Sequence, residues 1–200
     1  MREAKFWQIK PEIRILGVDD GSFAPHIRTV PLVATVFRGG KWFDGVMKTD
    51  IAKDGEDVTE KLIAMVRKSR HLGQLRVIMT DGITFGGFNV LDARRVFREL
   101  GLPVIAVSRR RPNMVEIKRA IKHLPGWKKR WEILRKTGKI YSVKTMHRGG
   151  EIFIQPIGIK IGDARRIVEM SSIRSLIPEP IRAAHMIATA IAMGESHGRV

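Results

Sequence analysis

Two apolar runs in this chain of 200 residues end in aspartate. Ile13-Arg-Ile-Leu-Gly-Val reaches Asp19-Asp20-Gly21, and Leu75-Arg-Val-Ile-Met-Thr reaches Asp81-Gly82. If the two runs are neighbouring strands, both carboxylates stand at one edge of a sheet. Hard divalent cations such as Mg²⁺ take oxygen ligands of this kind and keep open positions for water and phosphate. Two such ions about 4 Å apart can activate a water and stabilise the leaving oxygen of a phosphodiester. Asp and Gly are also ordinary turn formers, so spacing alone leaves a plain turn open at both places. Asp57, ahead of a helical pattern, could add a carboxylate, and His185, inside the last helical pattern, could add an imidazole. Each also has a structural reading, as a helix cap and as a packing residue.

The chain that carries these acids is strongly basic. Lys and Arg number 37 against 20 Asp and Glu, for a formal net charge of +17 and a pI near 10.9. That balance suits a protein that meets polyanions, nucleic acid first among them. The excess is densest in Arg109-Arg110-Arg111 and between Lys118 and Lys144, where Trp127 and Trp131 stand among Lys128, Lys129 and Arg130. Such a stretch could stack bases and contact phosphates, although two Trp four residues apart are more often the buried stripe of a helix. Charge runs can equally be solvated faces or a mark of thermal adaptation.

Other classes are excluded by what the chain lacks. With no cysteine, there can be no disulfide framework, thiolate metal site or cysteine nucleophile. No apolar run approaches the ~18 residues of a spanning helix, and Met-Arg-Glu-Ala-Lys-Phe-Trp is too polar for a signal peptide. The expectation is a soluble, cytoplasmic protein with no membrane partner.

The elements that must position the acids follow from pattern. Residues 1–12 read as a leading arm or short helix. The run ending at Asp19 is followed by β-rich runs 29–37 and 41–51, joined by Arg38-Gly39-Gly40, a hairpin signal. A helical pattern from Asp57 or Thr59 to Lys68 places Val58, Leu62, Ile63 and Val66 on one face. The run over 75–80 leads to Asp81, then to a Gly-rich loop, Ile83 to Asn89, whose Phe85 and Phe88 could stack on bases or join the core. A helix over 90–100 stopped by Gly101 and a strand over 103–107 come next. Two basic helices, 114–123 and 127–137, read as an insertion on the sheet around 112–145. A strand over 151–159, interrupted near Pro156, precedes a helix capped by Asp163 and a last helix over 179–193 with Pro180 in its first turn. Three hairpin-linked strands followed by alternating strands and helices predict an α/β fold, one domain over 1–200, with a mixed sheet and helices on its faces.

The C-terminal segment Leu176-Ile-Pro-Glu-Pro-Ile-Arg-Ala-Ala-His185 is similar to the signature of endonuclease V, a metal-dependent nuclease family with a ribonuclease H-like fold. Gly17-Val-Asp19, Thr80-Asp81-Gly82 and Pro103-Val-Ile-Ala-Val-Ser-Arg109 resemble that family's blocks in the same order, and Gly162 resembles its Gly-His helix start. Over nearly the full length the chain resembles an archaeal family, domain of unknown function 99, a distant relative of endonuclease V. The resemblance implies a ribonuclease H-like mixed sheet with helices on both faces and a Mg²⁺ or Mn²⁺ centre on Asp19, Asp81 and His185. Arg109 would stand for a lysine near the scissile phosphate. The relative's Phe-Arg-Glu metal ligand has no match, and Asp57 is the best substitute. Its aromatic wedge is missing too, since residues 47–57 hold no Tyr, Phe, Trp or Pro, so inosine specificity does not carry over.

The function expected is a metal-dependent nuclease acting on DNA or RNA, with Arg109, Arg110, Arg111, Lys128 and Lys129 holding nucleic acid. The alternative is a non-catalytic nucleic-acid binder that keeps the fold. A nucleotide site on Gly86-Gly87 has little support, because the loop has no Walker pattern and no Lys. Asp20 has no counterpart in the relative and stands as a neighbour able to support the ligands.

Overall fold

The computed structural model describes residues 3–24, 26–145 and 150–196. Its centre is a seven-stranded mixed sheet. Strands β1 (Arg14–Asp19), β2 (Thr29–Arg38) and β3 (Trp42–Ala52) form an antiparallel meander, with the turn at the expected Gly39-Gly40. Helix α1 (Val58–Arg67) returns the chain to β4 (Val77–Asp81), which pairs in parallel with β1. Strands β5 (Thr84–Phe85) and β6 (Asn89–Val90) make a small separate hairpin before α2 (Ala93–Leu100) and β7 (Val104–Ser108), the last parallel to β4. Then come α3 (Met114–Ile121), α4 (Trp127–Lys136), β8 (Tyr141–Lys144), β9 (Glu151–Ile157), α5 (Ile161–Ser171) and α6 (Glu179–Met193). The spatial order is β3-β2-β1-β4-β7-β9-β8.

This order sets the site. In the β1·β4 ladder Val18 stands opposite Thr80, so Asp19 and Asp81 leave the sheet side by side. A one-residue slip would turn one of the two to the other face.

Helices cover both faces. On one, Leu16, Val18, Leu32, Ile78 and Val104 pack with Val58, Leu62 and Val66 of α1 and with Val96 of α2. On the other, Ile15, Val77, Met79, Ile105 and Val107 meet Ala164, Ile167 and Val168 of α5 and Ile181 of α6. β2 is buried from Val30 to Phe37, which is why its sequence reads as a continuous apolar run rather than an alternation. No helix among the described residues is long and apolar enough to cross a membrane.

Several expectations at element ends are corrected. Described residues 3–12 form no helix. α2 starts at Ala93, not Val90, because the Asp92 side chain accepts from Arg95 N and caps it there. Asp163 lies in the first turn of α5, whose N-cap is Lys160. The basic stretch 112–145 is not wholly helical, since Tyr141–Lys144 pairs with β9 at the sheet edge.

Candidate metal centre

The centre is built where β1 and β4 end beneath α6. Two glycines and a threonine let α6 lie close on the sheet. A Cβ on Gly17 would sit inside Pro180, and one on Gly21 would lie 2.5 Å from Thr189 N. Thr35 Oγ1 donates to the Pro180 carbonyl at 2.6 Å, and Ser22 N donates to Thr189 Oγ1 at 2.9 Å. The Pro-Glu-Pro-Ile-Arg segment fixes the start of the helix. Glu179 is buried, accepts from Arg174 N at 2.8 Å and pairs with Arg182 Nε at 2.7 Å. With α6 seated in this way, His185 faces the end of β1.

His185 Nδ1 lies 2.8 Å from Asp19 Oδ2. The other oxygen of Asp19 accepts from Asp20 N at 2.7 Å and from Gly21 N at 3.3 Å. Asp19 is 3 % exposed, so its carboxylate is held in one orientation from both sides. Asp81 stands beside it, open to solvent. One ligand atom each from Asp19, Asp81 and His185 can be chosen so that all three lie within 4.8 Å of one another. An imidazole bonded through Nδ1 leaves Nε2 for a metal, a water or a phosphate oxygen.

Crowding of acids shows in their protonation. Asp81 keeps exposed surface, yet enough protein surrounds its carboxyl for desolvation to push it up to about 7. Asp19 adds to the rise, while Arg109 and His185 oppose it. Burial, with the charge of Asp19, pushes Asp20 up to about 8 against the hydrogen bond from Gly86 N. The bond to Asp19 raises His185 above its ordinary value, with desolvation and Arg109 working the other way. Three carboxyls with too little positive charge between them suit a divalent cation, and two carboxylates plus an imidazole are a donor set that could hold one.

Arg109 follows β7 with an exposed guanidinium close enough to lower the pKa of Asp81 and His185. Arg110 and Arg111 are exposed in the same loop, and Lys128 is exposed on α4. Lys129 pairs with Glu56 at 2.7 Å. Asp57 is not brought to the centre. Its Oδ1 accepts from Ala52 N at 3.2 Å and from Asn89 Nδ2 at 2.6 Å, because the turn after β3 lies at the sheet edge, with β2 and β1 between β3 and β4. Trp127 and Trp131 are half-buried against Val90, Ile121 and Leu134, with Lys118 Nζ 5.1 Å above the Trp131 ring, which is the packing alternative rather than a free platform. Phe85 is buried and Phe88 half-buried.

Two residues gain importance. The Asp20 carboxylate accepts from Gly86 N, and Asp54, at φ +50°, accepts from Phe88 N at 2.9 Å. Together they tie the Gly-rich loop to the sheet edge beside Asp81. The Asp-Gly pairs Asp20-Gly21 and Asp54-Gly55 were the available signal, since Asp next to Gly often binds a neighbouring backbone.

A protein from Methanothermobacter thermautotrophicus described as UPF0215 is 52% identical over 200 residues, covering 99% of this chain and 97% of its own. A solved structure of a protein of unknown function from Archaeoglobus fulgidus matches with a TM-score of 0.82 and 41% identity, covering 91% of this chain and 99% of the other. Endonuclease V from Ciona intestinalis, solved with a 24mer DNA containing an inosine, matches with a TM-score of 0.57 and 14% identity over 90% and 85% of the two chains. That similarity shows a ribonuclease H-like fold. The model of the family described as endonuclease dU matches residues 11–192, and the chain belongs to that family.

Proposed function

We propose that this protein is a divalent-metal-dependent endonuclease that hydrolyses phosphodiester bonds in nucleic acid. The observation that carries the reading is the convergence of Asp19, Asp81 and His185 within 4.8 Å at one sheet edge, on a chain of net charge +17. Asp19, Asp81 and Nε2 of His185 are the groups that would hold Mg²⁺ or Mn²⁺. When bound, such an ion would neutralise phosphate charge and lower the pKa of a bound water.

The chain's own groups divide the remaining work. Asp19 is pre-oriented by two backbone N–H groups and by His185, so it loses little freedom on meeting a ligand. Asp81 faces solvent and can be approached by substrate. Arg109 sets a permanent positive charge where a phosphate would lie, and Arg110, Arg111 and Lys128 extend it along a strand. A hollow of about 150 Å³, with Gly82, Thr84, Phe88 and Ser108 in its lining, lies just past Asp81 and offers room for a displaced base. A second reading, a binder without turnover, draws on Asp57 being held by Ala52 and Asn89, which leaves three ligands where the endonuclease V resemblance implies a fourth.

The two readings separate in one assay with Mn²⁺ and labelled single-stranded, duplex, branched and inosine-containing DNA and RNA. The family description puts a deoxyuridine-containing strand first. Cleavage that Asp19→Ala abolishes while binding persists supports the enzyme. Salt-sensitive binding with no cleavage of any substrate at high protein concentration supports the binder.

A further inference from the structure

At the opposite end of the sheet from the carboxylates lies a hollow of about 910 Å³, at the large end of the usual range for ligand sites. The leading arm forms one wall with Lys5, Phe6, Trp7 and Lys10. The starts of β1, β4 and β7 form the other, with Arg14, Arg76 and Pro103. Arg14 and Arg76 each stand five residues before Asp19 and Asp81, so this hollow is about 17 Å from the metal centre along the strands.

Its chemistry is uneven in charge. Lys5, Lys10, Arg14 and Arg76 line it against one carboxylate, Glu12, and Glu12 already faces Arg38 at 3.8 Å. Lys5 and Lys10 have no ion-pair partner among the described residues. Arg14 Nε is buried without a hydrogen bond, 3.6 Å from Asp44 Oδ2. At the rim Trp7 is 98 % exposed, and the floor holds Ile13, Leu75 and Leu102. The hollow thus sets a large flat ring in water beside Lys5 and Lys10. It suits a ligand that brings both a π-face and a negative charge.

We infer that this hollow is a second binding site, for a nucleotide, with the base on Trp7 and the phosphate among Lys5, Lys10, Arg14 and Arg76. The nucleotide can be free or a unit of a single strand whose cleaved bond lies at the other end of the sheet. Base stacking on an exposed aromatic is tolerant of sequence, and the surrounding cations supply the salt-dependent part of the affinity.

The test uses the full chain carrying Asp19→Asn, in EDTA, so its outcome does not depend on metal or cleavage. The probes are a fluorescein-labelled mononucleotide and a labelled 12-residue single strand, read by fluorescence anisotropy. Trp7→Ala changes no charge and removes a ring that is in water, so the fold is kept. It is expected to weaken binding about fivefold to a hundredfold, the range for one lost stack. Lys5→Glu with Lys10→Glu should weaken it further than the same reversal at exposed Lys61 on α1 and exposed Lys68 just after it. A loss seen with both probes marks a site for free nucleotides, and a loss confined to the strand marks a strand contact. Unchanged affinity of both probes in Trp7→Ala, with the two charge reversals equal in effect, would overturn the proposal.

Discussion

At the scale of the residue, the centre is a set of acids that resists ionising together. Desolvation and the charge of Asp19 hold Asp20 and Asp81 at about 8 and about 7, against the ordinary 3.8. The folded chain therefore binds more protons than the unfolded chain between about pH 4 and pH 8. Without a divalent ion, stability falls as pH rises through that window. His185, also raised, acts in the same sense: its contribution is complete below its unfolded pKa and is lost as pH rises through the folded one. A cation needs the carboxylates ionised, so Mn²⁺ should raise the melting temperature more at pH 8 than at pH 6. Thermal unfolding with and without Mn²⁺ at the two pH values checks this, and equal gains at both would count against the centre. Asp19 and Asp81 were legible in sequence because each ends an apolar run, and pairing of those runs brings the acids together. Asp57, read as a further ligand, stands outside the cluster of Asp19, Asp81 and His185, since a carboxylate one residue before a helix has the same sequence signature whether it meets a metal or the backbone.

At the scale of the element, the centre depends on how closely α6 lies on β1 and β2. Gly17 has no room for a Cβ beneath Pro180. Gly17→Ala should push α6 from the sheet, lower stability by about 2–3 kcal/mol or more, and weaken Mn²⁺ binding because His185 moves with the helix. Urea unfolding and a Mn²⁺ titration measure the two effects, and normal metal affinity in a destabilised variant would separate His185 from the site. A second dependence runs through Arg130. Its sequence setting, Lys128-Lys129-Arg130, reads as a solvated face, yet it is 4 % exposed. It donates to the carbonyls of Gly55 at 2.6 Å and Asp54 at 2.8 Å, and to that of Phe88, tying α4 to the turn after β3 and to the Gly-rich loop. Arg130→Ala leaves those carbonyls unpaired and should cost about 3 kcal/mol in urea unfolding. Arg130→Lys should recover only part, since a point charge cannot serve three carbonyls arranged for a planar fork. Nothing in a run of three cations says which one turns inward. The strands β5, β6 and β8 were hidden for a related reason: two to four residues are too few to show a period.

At the scale of the molecule, the carboxylates and the hollow behind Trp7 occupy opposite ends of one sheet, with Arg109 near the first and Lys5, Lys10, Arg14 and Arg76 lining the second. If Arg109, Arg110, Arg111 and Lys128 each meet a phosphate of a single strand, the plot of log K against log salt has a slope of about −3. Replacing the three arginines by alanine should reduce that slope by about 2, measured by anisotropy between 50 mM and 200 mM salt. An unchanged slope would place the strand elsewhere. The order of hairpin, helix and parallel strands was readable from the alternation of patterns. The covering of both sheet faces was expected as well, but not which helix takes which face, because the buried run from Val30 to Phe37 carries no sign of side. Everything proposed about catalysis rests on one claim, that Asp19, Asp81 and His185 together hold a divalent cation. Anomalous diffraction from a crystal soaked in Mn²⁺ tests it most directly. The account predicts a peak about 2.0–2.2 Å from a carboxylate oxygen of both Asp19 and Asp81, lost in Asp81→Asn; no peak there at saturating Mn²⁺ would contradict it.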